Sequence, residues 1–241
     1  MRKDRVFRTK RRVVRDFHFG RETAAVFDDM LDRSVPFYAE VQRMIGEIAA
    51  DFAVERTNVY DLGCSTGNTL LTLDAILPPT IRFVGVDSSS DMLRRARQKL
   101  KQYGVRRPIR LVCADLNTGV QLRNASVVIL NLTLQFVRPL QRVQLVRDIA
   151  KGMRAPGCLV LVEKVLSRSS TLNRLFIKYY YAFKSRQGYS QLEISQKREA
   201  LENVLIPYRI EENMELLLDN GFRQCELFFK WYDFSGLVAL R

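Results

Sequence analysis

The sequence is short of the residues that most often carry metal and acid–base chemistry. It has one histidine, His18, which reads as a packed or surface imidazole, and no catalytic side-chain base is evident elsewhere. Its four cysteines, Cys64, Cys113, Cys158 and Cys225, stand far apart and form no C-x-x-C pair. The spacing of zinc ligands is therefore missing, and no metal is expected. Two of the cysteines sit in strand-like surroundings and read as buried thiols. Nothing suggests a disulfide framework, which fits a reducing, cytoplasmic setting. No apolar run approaches the length needed to cross a membrane. No apolar segment follows the basic start, which argues against a secretory signal, although an Arg-rich, acid-poor start is weakly like a mitochondrial address. Internal repeats, low-complexity tracts and Pro/Gly/Ser linkers are also missing. The 241 residues suit one α/β domain, residues 1–241, with embellishment.

What the chain has in quantity is apolar surface and positive charge. An apolar fraction of 47% is ordinary for a protein with a real core. The formal net charge of +13 attracts anions such as nucleic acid, acidic lipid or anionic metabolites. Part of the excess is local: Arg2, Lys3, Arg5, Arg8, Lys10, Arg11, Arg12 and Arg15 face a single Asp4. Residues 1–16 read as a solvated, mobile basic arm, with contact to RNA or another polyanion as the competing reading.

Periodicity predicts a helix over 21–33, with Ala24, Val26, Phe27, Met30 and Leu31 mostly on one side. Ser34 before Pro36 predicts the start of a second helix running to about residue 52. Residues 17–52 thus form a helical N-terminal cap. Strands and helices then alternate. Strands are expected at 58–62, 81–87, 109–114, 125–132 and 158–163. Helices are expected up to about 77, from 89 or 90 to 103, and from Pro139 to about 153. Such a succession implies a parallel sheet covered by helices on both faces. Residues 167–205 break the rhythm as a helical insertion rich in Tyr, Lys and Arg. A last helix at 211–220, closed by Gly221, precedes two adjacent strands at 222–231 and 232–240, an antiparallel hairpin that closes the sheet.

Ligands of open parallel sheets bind beyond the carboxyl ends of the strands. Three such ends are acidic. In Val59-Tyr60-Asp61-Leu62-Gly63-Cys64-Ser65-Thr66-Gly67 a strand runs into a glycine turn. The loop is neither G-x-G-x-x-G nor a phosphate-cradling P-loop, so a dinucleotide is disfavoured. Asp61 there would face the ammonium of an amino-acid moiety. Asp87, ending Phe83-Val84-Gly85-Val86, can accept from both ribose hydroxyls, or can simply cap the next helix. Asp115 in Cys113-Ala114-Asp115-Leu116 can accept from an adenine amino group, with Leu116 beside the ring. Together the three point to S-adenosylmethionine. The fourth strand ends in Asn131-Leu132-Thr133-Leu134-Gln135-Phe136, without the acidic or Asn-Pro-Pro-Tyr element of many amino-methyltransferases. Asn131 would sit near the sulfonium as a neutral hydrogen-bonding group.

Several segments resemble one family closely. They are Arg33-Ser34-Val35-Pro36, Tyr60-Asp61-Leu62-Gly63-Cys64-Ser65, Leu130 to Phe136, Gly188-Tyr189-Ser190-Gln191-Leu192-Glu193-Ile194-Ser195-Gln196-Lys197-Arg198, and Phe234 to Leu240. From about residue 17 to the end the chain is similar to the carboxy-S-adenosylmethionine synthases of the class I S-adenosylmethionine-dependent methyltransferase superfamily. The resemblance implies a Rossmann-like class I methyltransferase fold with a seven-stranded, mostly parallel sheet. It implies that the methyl group is not transferred. Prephenate aromatises to phenylpyruvate, losing carbon dioxide and hydroxide; the hydroxide deprotonates the methyl group beside the sulfonium, and the resulting ylide captures the carbon dioxide. A partner carboxymethyltransferase then uses the product on hydroxyuridine at the tRNA wobble position (cmo5U34). The family's ligand residues carry over to Tyr38, Gly63, Cys64, Ser65, Asp87, Ser88, Asp115, Leu116, Asn131 and Arg198. Of these, Arg198, Tyr38 and Asn131 would attend the chemistry. An Arg fork suits a new carboxylate, and Tyr38 adds a phenolic hydrogen bond. The family forms homodimers, so Arg198 is expected to reach the neighbouring subunit's site and 167–205 to serve both dimer and active site.

The sequence departs from the family at Gly20, where Asp is usual, and at Phe37, where Gly is usual. Tyr179, Tyr180, Tyr181 and Phe183 are read as closing the pocket against water or, more plainly, as packing. Lys164, Lys184 and Arg186 are the candidates for attracting prephenate, with nothing in the sequence to choose between them. The alternative function is a methyltransferase acting on RNA or a small molecule, which the net charge favours; a non-catalytic S-adenosylmethionine-binding module is a third. Direct tRNA contact is compatible with the first reading but not required by it.

Overall fold

The computed structural model of the chain describes residues 3–241, so Arg2 of the basic arm lies outside the described residues. The sheet contains β1 (Asn58–Leu62), β2 (Arg82–Asp87), β3 (Ile109–Cys113), β4 (Ala125–Asn131), β5 (Met153–Leu166), a two-residue β6 (Tyr208–Arg209), β7 (Gln224–Trp231) and β8 (Phe234–Leu240). Seven strands run in the order β3-β2-β1-β4-β5-β8-β7, and β6 pairs with the far end of β5. The first five are parallel; β8 lies antiparallel between β5 and β7. The expected hairpin is there, and its second strand is the one that joins the sheet. β6 is too short to show as a sequence period.

Alternation along the central strands sends side chains to two cores. Val128 and Leu130 of β4 and Leu159 and Leu161 of β5 pack with Leu145, Val146 and Ile149 of α6 (Pro139–Gly152) and with Leu216 and Leu217 of α9 (Ile210–Leu218). Val127, Ile129, Cys158 and Val160 face the opposite layer. That layer is made of α3 (Tyr38–Phe52), α4 (Asn68–Asp74) and α5 (Ser90–Gln102). Burial on both faces explains why β4 reads as a continuous apolar run.

The cap differs from the expected two helices. It has α1 (Arg21–Ala24) and α2 (Phe27–Ser34) ahead of α3. Ser34 does not start α3 but closes α2. Pro36 forces Val35 into the extended region, and Phe37 adopts a left-handed conformation (φ 54°) before α3 begins. β5 starts at Met153, earlier than expected. The insertion folds as α7 (Ser170–Arg186) and α8 (Gln191–Leu201).

The basic arm is not free. Phe7 and Phe17 bury with Phe27, Met30, Met92 and Ala200 in a third core. Gln196 of α8 donates to the carbonyls of Phe7 (2.9 Å) and Thr9 (3.0 Å) and accepts from the Arg11 amide (2.7 Å). The apolar residues of the arm pin it down, while Arg8, Lys10, Arg12 and Arg15 stay in solvent. Among the described residues no helix is long and apolar enough to cross a membrane.

Candidate active site

A cavity of about 470 Å³, within the range of ligand sites, opens beyond the carboxyl ends of β1, β2, β4 and β5. The strand order reverses between β1 and β4, which is where an open sheet leaves a crevice. The turn after β1 carries Gly63 (φ 83°), Ser65 (φ 46°) and Gly67 (φ 81°); the turn after β4 carries Leu132 (φ 60°). A side chain at Gly63 would collide with Thr133, so glycine lets the two turns close on each other. Left-handed Ser65 and Leu132 are strained non-glycine positions at this wall. Asp87 orders the floor: its Oδ2 accepts from the Ser65 amide (2.9 Å) and its Oδ1 from the Ser89 amide (2.8 Å). The cap of α5 is Ser89, whose hydroxyl accepts from the Met92 amide. Asp115 Oδ1 accepts from the backbone and side-chain nitrogens of Asn117.

The opposite wall comes from the insertion. Asn173, Ile177, Tyr180, Tyr181 and Lys184 line the cavity from one face of α7, and Ile194, Lys197, Arg198 and Leu201 line it from α8. The start of α8 is fixed by sequence. Gly188 (φ 82°) makes the turn, and Ser190 with Glu193 forms a reciprocal capping box. Between them Tyr189 donates to Asp4 Oδ2 (2.7 Å), accepts from Ser34 Oγ (3.3 Å) and lies under the Arg33 guanidinium (4.0 Å). Two distant matched segments, 33–36 and 188–198, thus meet.

Burial shapes the electrostatics. It lifts the Asp61 carboxyl to about 7, helped by the Asp87 charge, and Asp61 Oδ2 has no donor. Burial raises Asp87 as well. The Tyr38 phenol is pushed far up, so it stays protonated; its oxygen accepts from Gln42 (2.8 Å) and Asn68 (3.2 Å). Glu163 accepts from the amides of Thr133, Leu134 and Gln135 (3.1, 2.8 and 2.9 Å) and shapes the turn after β4. Burial still carries it to about 8 against those donors. On the other side, burial and neighbouring ammonium groups lower Lys184 to about 7, and burial lowers Lys197 to about 8.

All ten carried-over residues, Tyr38, Gly63, Cys64, Ser65, Asp87, Ser88, Asp115, Leu116, Asn131 and Arg198, line this one cavity. Asn131 Oδ1 is buried without a donor. Arg198 lies on an exposed face of α8 at the mouth of its own chain's cavity. Asp61 is not in the wall but behind it, 1% exposed. Lys164 and Lys184 line the cavity and Arg186 does not. Tyr180 and Tyr181 face the cavity, whereas Tyr179 packs at a tilt against Tyr232 and Phe183 edge-on against Trp231. His18 is on the surface, and of the four free cysteines only Cys113 is exposed. The sequence reading missed Lys197, Glu163, Asp233 and the aromatic rim of Phe17, Phe19 and Phe136. Glu163 had a signal: it is a fourth acid at the end of an apolar strand. The rim had none, because it is assembled from the start of the cap and the turn after β4.

A methyltransferase-domain family model matches residues 59–157. A carboxy-S-adenosyl-L-methionine synthase of Methylococcus capsulatus is 56% identical over the whole of both chains. Another, from Nitratiruptor, is 44% identical over 100% of this chain and 99% of its own. A third, from Haemophilus ducreyi, is 39% identical over 100% and 99%. Among solved structures, a SAM-dependent methyltransferase from Methanosarcina mazei superposes with a TM-score of 0.57 at 15% identity, covering 80% of this chain and 96% of that one. Human N-acetylserotonin methyltransferase gives 0.59 at 16% identity over 91% of this chain, which spans 55% of the human enzyme. At such identities these structures speak for the fold alone.

Proposed function

The chain belongs to the carboxy-S-adenosyl-L-methionine synthase family, and from that membership we propose that it converts S-adenosylmethionine and prephenate to carboxy-S-adenosylmethionine, phenylpyruvate and water. One observation carries the reading: a single cavity has acids at the ends of β2 and β3 on one side and cations from β5, α7 and α8 on the other. The acidic side suits the nucleoside. Asp87 keeps lone pairs for ribose hydroxyls after accepting two amides, and Asp115 and Leu116 suit the adenine. The unpaired Oδ1 of Asn131, in the cavity wall, is a buried acceptor that the protein alone does not satisfy. It fits the polarised hydrogens next to a sulfonium.

Bound S-adenosylmethionine supplies a methyl group made acidic by its sulfonium. Prephenate, a dianion, aromatises by losing carbon dioxide and hydroxide. The hydroxide leaves as water with a methyl proton, and the carbon dioxide is joined to the methyl carbon, so no side-chain base is consumed. The chain's own work is to bind, orient and keep water out. Phe19 packs edge-on against Phe136 (5.1 Å) at the rim. Tyr38 keeps its phenolic proton, and the Arg198 fork suits the new carboxylate. The proposal includes a homodimer in which Arg198 reaches the partner's site. Tyr179 and Tyr232, in contact at 5.0 Å and each about 40% exposed, support a surface that a second copy covers. It also includes a cytoplasmic setting and delivery of the product to a carboxymethyltransferase acting on tRNA.

The test is direct. Incubation with S-adenosylmethionine and prephenate should yield, by mass spectrometry, the nucleoside heavier by carbon dioxide, with phenylpyruvate in equal amount. S-adenosylhomocysteine and methylated RNA in their place would establish the alternative methyltransferase.

A further inference from the structure

Three ammonium groups stand around one end of the cavity, two of them buried and that of Lys164 partly exposed, and they differ in what holds them. Lys164, at the end of β5, pairs with Asp233 Oδ2 (3.3 Å) and lies over the Tyr180 ring (4.5 Å). Lys197 of α8 donates to Ser34 Oγ (3.2 Å), and the relay continues through Tyr189 to Asp4. Lys184 of α7 is 4% exposed and lies 5.5 Å from the centres of the Tyr180 and Tyr189 rings. Among the described residues no carboxylate or carbonyl accepts from it.

Burying an ammonium costs several kcal/mol unless a counter-charge and hydrogen-bond acceptors replace water. For Lys164, partly exposed, the chain supplies the Asp233 counter-charge, and for Lys197 it supplies an acceptor backed by the relay to Asp4. For Lys184 it supplies only two ring faces, which stabilise a cation weakly. Two like charges stand close by, while the opposing Asp4 and Glu193 carboxylates are engaged elsewhere. A buried cation facing a cavity without an acceptor marks the place where an anion belongs.

We propose that Lys184, backed by Lys164 and Lys197, is the subsite that holds the carboxylates of the anionic co-substrate, on the side of the cavity away from the nucleoside-facing acids. This rests on the function proposed above and deepens it: of the cations that could attract prephenate, the structure selects the one without a partner. Lys184 binds; it moves no proton and forms no bond.

The test replaces the ammonium by an apolar group of similar length, Lys184→Met, with Lys184→Gln as a second variant. Removing an unpaired buried charge should leave the melting temperature unchanged or higher, so the fold survives. Affinity for S-adenosylmethionine, read by calorimetry, should stay within about twofold. Prephenate binding to the S-adenosylmethionine-loaded protein should weaken about tenfold or more, the size of a lost charge-assisted hydrogen bond, and its KM should rise likewise. If the wild type turns over and the KM of both variants is unchanged, the subsite is wrong and the reaction stands. If the wild type makes no carboxylated product, the reaction is wrong. Calorimetry then decides the subsite alone: prephenate bound by wild type and lost in the variants upholds it, and no binding, or equal binding, overturns it.

Discussion

Asp61 tests how the molecule divides its stability between folding and binding. The carboxyl is 1% exposed, its Oδ2 has no donor, and its pKa is lifted from 3.8 to about 7 by burial and by Asp87. A carboxyl raised in this way favours the folded state only while protonated. The penalty is absent below the unfolded value of 3.8, grows as pH rises between the two values, and is complete above about 7. Integrated over that interval at about 1.36 kcal/mol per pH unit, it reaches roughly 4 kcal/mol as an upper bound. Asp61→Asn keeps the shape and removes the ionisation. Urea unfolding across a pH series should show the variant more stable than wild type at about pH 8, by up to roughly 4 kcal/mol, with the gain shrinking towards zero near about pH 4. A variant less stable at the higher pH, or a difference that does not change with pH, would refute the argument. Because Asp61 lies behind the cavity wall, the same variant should bind S-adenosylmethionine about as tightly as wild type by calorimetry.

Arg198→Ala should abolish carboxylated product in the mass-spectrometric assay while leaving the thermal melt unchanged, because Arg198 is exposed and makes no ion pair among the described residues. Glu163→Gln turns part of a three-amide acceptor into a donor and should cost about 1–3 kcal/mol in denaturant unfolding. Its kcat should fall more than its affinity for S-adenosylmethionine, since it acts by positioning the turn that begins at Asn131. The KM for prephenate should rise as pH climbs past about 7, where Lys184 loses its charge. Lys164 of β5, Lys197 and Glu193 of α8, Asp4 of the arm and the Tyr180 and Tyr189 rings face that group. In Lys184→Met the rise should flatten in a pH series of initial rates.

The sheet was legible because its strands are buried on both faces and each ends in a turn residue or an acid. Runs such as Ala125 to Leu130 allow no other placement in a chain this size. The acidic side of the cavity was legible for the same reason, since strand ends are fixed by the sheet and Asp87 and Asp115 sit at them. The cationic side was legible only in part. Lys184 stood level with Lys164 and Arg186 as a candidate, and Lys197 gave no signal, because periodicity cannot tell a solvated helical face from one that closes a cavity. Only the packing of α7 and α8 against β5 and the arm decides. The arm misled in a similar way: its charges are conspicuous, whereas the few apolar residues that pin it, Phe7 and Phe17, are spaced too widely to register. Ser34 was read as a helix cap from its place before Pro36, while its hydroxyl is taken by Tyr189 and Lys197.

The fold is shared with methyltransferases at 15 or 16% identity, so the fold does not choose the chemistry. The charge of the cavity does. S-adenosylmethionine carries a sulfonium and an ammonium against one carboxylate, so a wall holding Lys164, Lys184, Lys197 and Arg198 repels it. The nearby Asp233 and the exposed Glu202 offset only part of that charge. A neutral methyl acceptor would gain nothing from such a wall. RNA phosphates would, but ammonium groups that are 4% and 7% exposed, set behind Tyr180 and Tyr189, are out of reach of a backbone lying on the surface. A small dianion placed between the cationic wall and the cationic nucleoside relieves both. It also explains why the matched segments 33–36 and 188–198 converge on Ser34, Tyr189 and Lys197 and not on the nucleoside side.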